Sequence, residues 1–551
     1  MLPSGNTCWE APVSEYLTRV RDLVAKVPTA LRSVEVMRQA GLVPLSRPDH
    51  VLGSMIAMRR LGPIAGAARI AATRDDAAIG LVDERGSLTF AQLDRRSNAL
   101  ARAFAERGVT ADSVVALLAR DHRGAVETML AASKLGARLL LMNTGFARPQ
   151  LVDVAEREGV TVFVHDQEFT PLVDALPGSV SSYLAWVDEP AGESLEDLIA
   201  NTDDRAVPLP RQPGGMVLLT SGTTGTPKGA PRQVRSPLAA AQFLDRIPLR
   251  TGEATVLAAP LFHATGFSQF IISFALGSRV VLRRRFDPEA TLAAIAEHRA
   301  TALVLVPTML QRVLDLGDDV ISRYDTTSLR IVFTAGSALS PELGNRATRV
   351  FGDVVHNLYG STEVSVASVA TPQDWREAPG TVGKPPVGCK VALYDADGKP
   401  VTAPEVTGRV FAGSGLAFGG YTDGRHKEVI GGLLSTGDVG HFDAAGRLFI
   451  DGRDDDMIVS GGENVFPGEI ENLLVAHPGV VEAAVLGVAD AEFGQRLKAY
   501  VVLAPGASVS AEELREHVRA NLARFKVPRE VVFLAELPRN ATGKLVRKEL
   551  G

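Results

Sequence analysis

The sequence predicts an α/β protein with a large N-terminal domain of helix-flanked sheets, a β sub-domain and a small α+β C-terminal domain. From Gly86 onward, short apolar runs alternate with amphipathic helices, a pattern typical of a parallel sheet covered by helices. Beyond Thr381, glycine-rich turns separate short strands, which indicates antiparallel pairing. After Val465, helices and longer strands return over a short stretch, which indicates a separate domain.

The composition fits a globular protein of two or three domains. The chain has 551 residues, 46% hydrophobic and 22% charged, which is ordinary for such proteins. With a formal net charge of -6 it lacks the basic excess of nucleic-acid-binding proteins, so a small-molecule ligand is expected. Its two cysteines, Cys8 and Cys389, suit a reducing cytoplasm. We expect a cytoplasmic protein, because neither a signal-peptide pattern nor an apolar run of ~18 residues occurs.

Residues 1–75 form a predicted N-terminal helical extension with two amphipathic segments. Apolar residues recur at helical spacing from Val13 to Val24. The segment from His50 to Ala72 mixes apolar residues with three arginines. Such a basic amphipathic helix either packs on the body of its own protein, the interpretation that we favour, or contacts an anionic membrane surface. Peripheral membrane contact through this extension therefore stays open.

The central part of the chain predicts the order of elements expected for parallel sheets. The predicted helices are Phe90–Arg107 and Gly124–Leu135, and the predicted strands are Ser113–Leu118, Ala137–Met142, Val160–Val164, Met216–Leu219, Thr255–Ala259, Ala302–Val306 and Ile331–Ala335. In open α/β sheets, ligands bind beyond the carboxyl ends of the strands. We therefore expect the loops that follow the later strands to converge on one crevice.

One of these loops has the composition of a triphosphate cradle. The strand that ends at Leu219 leads into Thr220, Ser221, Gly222, Thr223, Thr224, Gly225, Thr226, Pro227, Lys228 and Gly229. Glycines let the backbone approach an anion, N–H groups and hydroxyls satisfy phosphate oxygens, and the ammonium offsets their charge. The Walker pattern is excluded, because Gly229 rather than Ser or Thr follows Lys228. A mobile Ser/Thr/Gly linker would explain neither the preceding strand nor the terminal lysine.

Other loops carry weaker signals that gain weight from their number and order. They contain His263, the run Gly336, Ser337 and Ala338, the run Tyr359, Gly360, Ser361, Thr362 and Glu363, the run Ser435, Thr436, Gly437 and Asp438, the pair Gly452 and Arg453, and the final Thr542, Gly543 and Lys544. Taken singly, a histidine in an apolar loop is more often structural than catalytic, and a Tyr-Gly pair is commonly a turn.

Taken together, these motifs resemble the adenylate-forming acyl- and aryl-CoA synthetases, a family that also includes luciferases and peptide-synthetase adenylation domains. The resemblance extends from Gly86 to the end of the chain, with the motifs in family order. Within the family, Gly461 to Val465 and Phe525 to Pro528 look most like fatty-acyl-CoA synthetases. The resemblance implies ATP, magnesium and CoA as cofactors. It also implies a small-molecule carboxylic acid as substrate, which we expect to be a fatty acid.

The resemblance also implies a role for each motif. A carboxylate attacks the α-phosphate of ATP to form an acyl-adenylate, and the CoA thiol then displaces AMP. The implied ATP-binding residues are Thr220, Ser221, Gly222, Thr223, Thr224, Lys228, Gly336, Ser337, Ala338, Tyr359, Asp438 and Arg453. The implied catalytic residues are Lys544, Thr362, Glu363 and His263, with Glu363 also holding magnesium. The implied CoA-binding residues are Ser460, Gly461, Gly462 and Lys526.

By the same resemblance, the C-terminal domain is mobile and rotates between the two half-reactions about Asp455. The implied division is an N-terminal extension, 1–75, a large adenylate-forming domain, 76–453, and a small domain, 454–551. Two alternatives stay open: an adenylating enzyme that loads a carrier-protein thiol, and a relative that binds nucleotide and acyl groups without catalysis. The presence of Lys544, Glu363 and Lys228 argues against the second alternative.

Overall fold

The computed structural model describes most of the chain, and its described residues are 27–43, 48–189, 193–220, 228–232, 237–454, 456, 458–460, 463–490, 494–540 and 544–550. They form two helix-flanked sheets, an antiparallel β sub-domain and a C-terminal α+β domain. This confirms the predicted fold class, including the order of its parts along the chain. None of the helices in these ranges has the length and apolar character to cross a membrane.

The first sheet has eight strands, of which the inner ones run parallel. In spatial order they are Ser368–Ala370, Val355–Tyr359, Ile331–Ala335, Ala302–Leu305, Ala254–Leu257, Arg279–Val281, Ile79–Asp83 and Gly86–Thr89. Only the pairs at the two edges are antiparallel. Because neighbouring parallel strands end at one edge of a sheet, the loops after Leu257, Ala335 and Tyr359 open on the same side, as the sequence predicts.

The second sheet has six strands and ends in the hairpin that carries the phosphate loop. In spatial order the strands are Ser181–Trp186, Val162–Asp166, Val114–Leu118, Arg138–Leu141, Met216–Thr220 and Lys228–Arg232. All pairs are parallel except the last, which is antiparallel. The inner strands Val162–Asp166, Val114–Leu118 and Arg138–Leu141 are mainly apolar and almost fully buried, because helices or other apolar layers cover both faces of the sheet.

Helices pack on these sheets and between them. In the large domain they are Phe90–Glu106, Arg123–Leu135, Arg148–Glu158, Thr170–Val173, Leu195–Ala200, Ala241–Leu244, Ala264–Ala275, Pro288–His298, Pro307–Leu314, Asp318–Ile321, Pro341–Phe351 and Pro372–Glu377. The largest apolar cluster contains Leu117 of the second sheet, Leu257 of the first, and Phe104 and Phe270 of two helices, so one core joins both sheets. Local signals set the helix ends: Thr89 and Gln92 form a capping box, and Gly136 ends its helix in the left-handed conformation.

The N-terminal extension packs on the large domain. Residues 27–39 are helical, and a second helix, Pro48–Arg74, contacts the helices Phe90–Glu106, Arg123–Leu135 and Ala264–Ala275. Gly62, with φ of 72°, breaks the second helix. The half after the break is buried, whereas the half before it keeps apolar side chains in solvent. The favoured packing role therefore accounts for part of the segment. The first predicted amphipathic segment lies outside the described residues.

The remaining strands form the β sub-domain and the C-terminal sheet. The sub-domain is fully antiparallel and contains Pro400–Val401, Lys390–Tyr394, Gly408–Gly413, Leu433–Phe442, Val429–Ile430 and Leu448–Arg453. The C-terminal sheet contains Glu463–Val465, Ile458–Ser460, Gly494–Leu503, Val480–Asp490 and Glu530–Phe533, covered by the helices Pro467–Val475 and Ala511–Asn521. This domain has its own apolar core, which includes Ile470, Val485 and Leu514.

Candidate active site

The phosphate loop joins two paired strands. Strand Met216–Thr220 ends where the loop begins and strand Lys228–Arg232 starts where it ends, so that Thr220 pairs with Lys228 in the antiparallel register. The Lys228 ammonium lies 5.1 Å from the centroid of the Tyr421 ring, within cation–π range. The loop residues Ser221, Gly222, Thr223 and Thr224 lie outside the described residues. The hairpin thus fixes both ends of the predicted cradle.

Glu363 places a buried carboxylate in the cleft. It lies with Thr362 in the loop after strand Val355–Tyr359, and the Tyr421 hydroxyl donates to Glu363 Oε1 at 2.5 Å. Burial by itself would raise the pKa of Glu363, but the Tyr421 hydrogen bond and the charge of Lys427 lower that pKa overall. The carboxylate is therefore ionised at neutral pH and presents oxygen to a cation.

Tyr359, Asp438 and Arg453 form one hydrogen-bonded set. The Tyr359 hydroxyl donates to Asp438 Oδ2 at 2.5 Å, and Arg453 Nη1 donates to Asp438 Oδ1 at 3.3 Å. Asp438 and Arg453 face each other on adjacent strands of the β sub-domain. Burial raises the pKa of Asp438 despite these two donors, and burial and the Asp438 charge raise the pKa of Tyr359. Strand pairing and the Tyr359 hydrogen bond thus bring together Tyr359, Asp438 and Arg453, which the sequence predicts as site residues.

Gly336 and His263 lie at the carboxyl ends of two strands of the first sheet. Gly336, Ser337 and Ala338 follow strand Ile331–Ala335 and are exposed, and Gly336 has φ of 95°, a conformation that favours glycine. His263 precedes the helix Ala264–Ala275. Its Nε2 is buried and has no hydrogen-bond partner among the described residues. Burial and the charge of Lys544 lower the pKa of His263 to about 4, so the ring is neutral at neutral pH.

Lys544 brings the C-terminal domain to the cleft. Its backbone N–H donates to Asn540 Oδ1 at 2.9 Å and its carbonyl accepts from the Asn540 N–H at 2.9 Å, which holds the turn together. The side chain is exposed to solvent, yet surrounding protein and the Arg453 charge lower the pKa of Lys544, against the opposite effect of Asp438 and Glu363. The charges that act on this lysine therefore include three of the predicted site residues.

Several predicted residues are not brought to this cleft or lie outside the described part. Asp455, Gly461 and Gly462 lie outside the described residues. Ser460 ends strand Ile458–Ser460 and pairs with Glu463. Lys526 forms an ion pair with Glu469 at 2.5 Å on the C-terminal domain. The hinge and CoA predictions therefore stay predictions.

An apolar cavity of about 470 Å³ is lined both by residues near the cleft and by residues of the N-terminal helices. At its inner end are Ser365 and Leu416, close in sequence to Glu363 and Tyr421, and Ala264, which follows His263. At its outer end are residues of the N-terminal helices, Val34, Met37, Val51, Met55 and Met58. Of the 26 described residues that line it, Arg232 alone carries a charge. The cavity thus suits an apolar group attached to a polar one.

Two family models match the chain in the order of its domains. One, described as AMP-binding enzyme, matches residues 67–422, and the other, described as AMP-binding enzyme C-terminal domain, matches residues 469–544. The chain belongs to the AMP-binding enzyme family. The predicted membership of the adenylate-forming group is thereby confirmed, as is the predicted enzyme class, an AMP-forming acid–thiol ligase.

Named members of the AMP-binding family show what this chain is similar to. The indoleacetate–CoA ligase of Aromatoleum aromaticum is 34% identical over 476 residues, 84% of this chain and 92% of the relative. The fatty acid–[acyl-carrier-protein] ligase ScoC of Streptomyces coeruleorubidus is 31% identical over 482 residues, 85% and 92% of the two chains. The o-succinylbenzoate-CoA synthetase MenE of Bacillus subtilis, solved with the intermediate OSB-AMP, has a TM-score of 0.77 and 27% identity, covering 88% of this chain and 97% of that one. By their names, these relatives differ in the acid and in the thiol acceptor.

The cleft fits the cofactors of the AMP-binding family, which are ATP, magnesium and CoA. Magnesium is usually bound by one or two carboxylates together with substrate phosphates, rather than by a cage of protein ligands. Glu363 supplies one ionised carboxylate, and no group of three or more His, Cys, Asp or Glu side chains in the described part of the chain forms such a cage. Magnesium bound by Glu363 would neutralise phosphate charge, and Lys228, whose ammonium lies over the ring of the same Tyr421, would add a second positive charge.

Sequence reasoning missed two residues of this cleft. Tyr421 contacts both Glu363 and Lys228, but it lies 58 residues from Glu363 in an irregular loop with no periodic signal. Arg232 lines the apolar cavity, but in the sequence it reads as one more polar residue after the phosphate loop. The signal available for Arg232 is that it is a second cation, four residues after Lys228.

Proposed function

We propose that this protein is an ATP-dependent fatty-acyl-CoA synthetase, which converts a fatty acid, ATP and CoA into acyl-CoA, AMP and pyrophosphate. The observation that carries the proposal is the apolar cavity that extends from the cleft to the N-terminal helices. Burial of a methylene group is worth about 0.8 kcal/mol, so an apolar cavity of this volume favours an acid with an alkyl chain over a short acid. The motifs most like fatty-acyl-CoA synthetases, Gly461 to Val465 and Phe525 to Pro528, support the same substrate.

The first half-reaction joins two anions and therefore needs cations and N–H donors in place. Thr220, Ser221, Gly222, Thr223, Thr224 and Lys228 hold the β- and γ-phosphates. Thr362 contacts the α-phosphate, and Glu363 would hold magnesium, whose charge would offset that of the phosphates. Asp438 accepts from the ribose hydroxyls beside Arg453, and Gly336, Ser337, Ala338 and Tyr359 frame the adenine. Lys544 neutralises charge while the carboxylate approaches the α-phosphate, and neutral His263 borders the acyl site.

The second half-reaction uses another orientation of the C-terminal domain. The proposed hinge is Asp455, at the start of the small domain, 454–551, which follows the large domain, 76–453, and the extension, 1–75. Rotation carries Lys544 out of the cleft and brings in Ser460, Gly461 and Gly462, with Lys526 toward CoA. The ion pair of Lys526 with Glu469 lies on this same domain, so it moves with the domain as a unit.

A carrier-protein thiol is the alternative acceptor, because one relative is named as a fatty acid–[acyl-carrier-protein] ligase. CoA and a phosphopantetheinylated carrier, offered side by side, decide between them. We expect CoA to react faster. Faster transfer to the carrier would replace CoA as the acceptor and leave the fatty-acid assignment in place.

We further propose peripheral contact between a cytoplasmic enzyme and an anionic membrane, through the N-terminal helices. Among the described residues, six of the eleven exposed large hydrophobic side chains lie between residues 27 and 56: Val27, Leu31, Val34, Leu52, Met55 and Ile56. Val34 and Met55 also line the outer end of the cavity. Residues 27–74 contain seven arginines and two acidic residues, in a chain of net charge -6. Exposed apolar side chains on a segment with an excess of basic residues fit an anionic bilayer, from which a fatty acid would enter.

Two experiments test these proposals. Pyrophosphate release is measured across saturated acids of increasing length and with indoleacetate and 2-succinylbenzoate, and we expect medium or long acids to give the highest kcat/KM. A preference for the aromatic acids, or ADP as the nucleotide product, would contradict the proposed function.

The amount of protein that sediments with vesicles of phosphatidylglycerol should fall as salt rises, because the Debye length shortens to about 8 Å at physiological ionic strength. Absence of binding at every salt concentration would leave only the packing role.

A further inference from the structure

Arg232 is a cation in an apolar surround. It ends strand Lys228–Arg232, where it pairs with Met216 of the neighbouring strand, and both side chains line the cavity. Its guanidinium donates from Nη1 to the Leu416 carbonyl at 2.6 Å, the only hydrogen bond that it forms within the described residues. None of the ion pairs among those residues includes Arg232. A guanidinium carries five N–H donors, so most of its donors remain available to the cavity.

Burial does not discharge this group. Burial lowers the pKa of Arg232 to about 10, and the charge of Glu363 acts in the opposite direction, so the side chain is a cation at neutral pH. A charge taken out of water is costly unless an opposite charge or several hydrogen bonds compensate for it. One carbonyl satisfies a single donor. The side chain is half-buried, so its remaining donors face the cavity, where an anion would satisfy them.

The position of Arg232 restricts which anion this can be. Lys228 and Arg232 are four residues apart on one strand with unbroken register, so they lie on the same face, about 13 Å apart at ~3.3 Å per residue. Lys228 lies at the phosphate-loop end, and Arg232 lies at the end that opens into the apolar cavity. The anion at Arg232 therefore shares the cavity with an apolar group, as the head of an amphiphilic acid does.

We propose that Arg232 binds the carboxylate of the incoming fatty acid and so fixes its direction, with the head toward the cleft and the tail toward the N-terminal helices. This inference rests on the proposed function. A guanidinium matches a carboxylate in a bidentate geometry that an ammonium lacks. Arg232 also belongs to a paired strand of the large domain, whereas Lys544 belongs to the C-terminal domain. Arg232 is thus in place for the acid whichever way the small domain is turned, and it is a substrate-binding residue distinct from Lys544.

The test compares two ligands that differ only at the head. Dodecanoate and dodecanol are titrated into the full-length protein without ATP, by calorimetry, for the wild type and for Arg232→Met and Arg232→Lys. A charge-assisted hydrogen bond corresponds to about 10- to 150-fold in affinity. We expect Arg232→Met to lose acid affinity by about that factor while dodecanol binds as in the wild type, and Arg232→Lys to fall between. In steady state, KM for the acid should rise and kcat should change little.

Arg102→Met is the matched control. Arg102 is also half-buried and donates to backbone carbonyls, those of Asp203 and Arg205, but it does not line the cavity. Equal losses for acid and alcohol in Arg232→Met would show a merely structural role and overturn the inference, as would an unchanged preference for the acid. Should Arg232→Met not fold, Arg232→Gln, which keeps a donor for the Leu416 carbonyl, takes its place with the same expected loss. If the wild type binds neither ligand, the proposed fatty-acid function itself fails, which is a separate result.

Discussion

Tyr421 contacts two charged residues of the cleft, and substitution can remove one contact at a time. Its hydroxyl donates to Glu363 Oε1 at 2.5 Å, and its ring centroid lies 5.1 Å from Lys228 Nζ. Tyr421→Phe deletes the hydrogen bond and keeps the ring under the ammonium. The side chain of Glu363 is buried, so water does not fully replace the lost donor. The substitution therefore isolates the contribution of one hydroxyl to one carboxylate.

The structure sets the sign and the size of the effect. The Tyr421 hydroxyl lowers the pKa of Glu363 by stabilising its ionised form, whereas burial favours the protonated form. Without the hydroxyl, the pKa of Glu363 must rise, so protonation competes with magnesium at a higher pH. A hydrogen bond to a charged group is worth about 1.5–3 kcal/mol, and 1.36 kcal/mol corresponds to one pH unit. The acid limb of the adenylation rate should therefore move upward by about one to two pH units.

The assay is pyrophosphate release as a function of pH at a magnesium concentration below saturation. Tyr324→Phe is the matched control, because its hydroxyl donates to Glu289 Oε1 at 2.9 Å away from the predicted site residues. We expect the acid limb of Tyr421→Phe to move and that of Tyr324→Phe to stay. An acid limb that is unmoved in Tyr421→Phe, or that moves equally in both variants, would refute the role of Glu363 as the magnesium carboxylate tuned by Tyr421.

Three further predictions concern the other parts of the cleft. Lys544→Ala should slow adenylation about 10²- to 10³-fold and leave CoA transfer from a supplied acyl-adenylate intact. Single-turnover assays of each half-reaction measure both rates, and a loss mainly in thioester formation would contradict the prediction. Asp455→Pro fixes φ and should affect the two half-reactions unequally in the same assays, whereas equal losses would place the hinge elsewhere. Asp438→Asn removes the charge that faces Arg453 and should raise KM for ATP about tenfold or more, with KM for the acid as the internal control.

The parts of the fold that the sequence could predict are those in which local pattern decides structure. Strand Ile331–Ala335 agrees with its prediction to the residue, because an apolar run rich in β-branched side chains and too short for a helix favours a strand buried on both faces. Helix Phe90–Glu106 agrees with its prediction to within one residue because its apolar periodicity is clear, and the capping box in the structure fixes its start. The order of parallel strands followed from the alternation of elements, and so did the edge at which the loops meet.

The cleft was only partly predictable, because its contacts join residues that are far apart in the chain. The pair Tyr421 and Glu363 is 58 residues apart, and the pair Tyr359 and Asp438 is 79 residues apart. The second pair has family motifs at both ends, so the sequence predicts it, whereas Tyr421 lies outside those motifs. Helical periodicity likewise predicts an amphipathic extension, but it does not show that residues before Gly62, such as Met55 and Met58, line a cavity.

On the proposals above, the two cations of strand Lys228–Arg232 order two anionic substrates in one cleft. A strand holds its side chains at fixed intervals, and the antiparallel partner Met216–Thr220 fixes both of its ends. On the proposals above, Lys228 takes the terminal phosphates and Arg232 takes the acid, so the bond-forming α-phosphate lies between them. The separation of the anions is then a property of the sheet. Lys544, which comes from another domain, needs to supply charge only when the two anions approach each other.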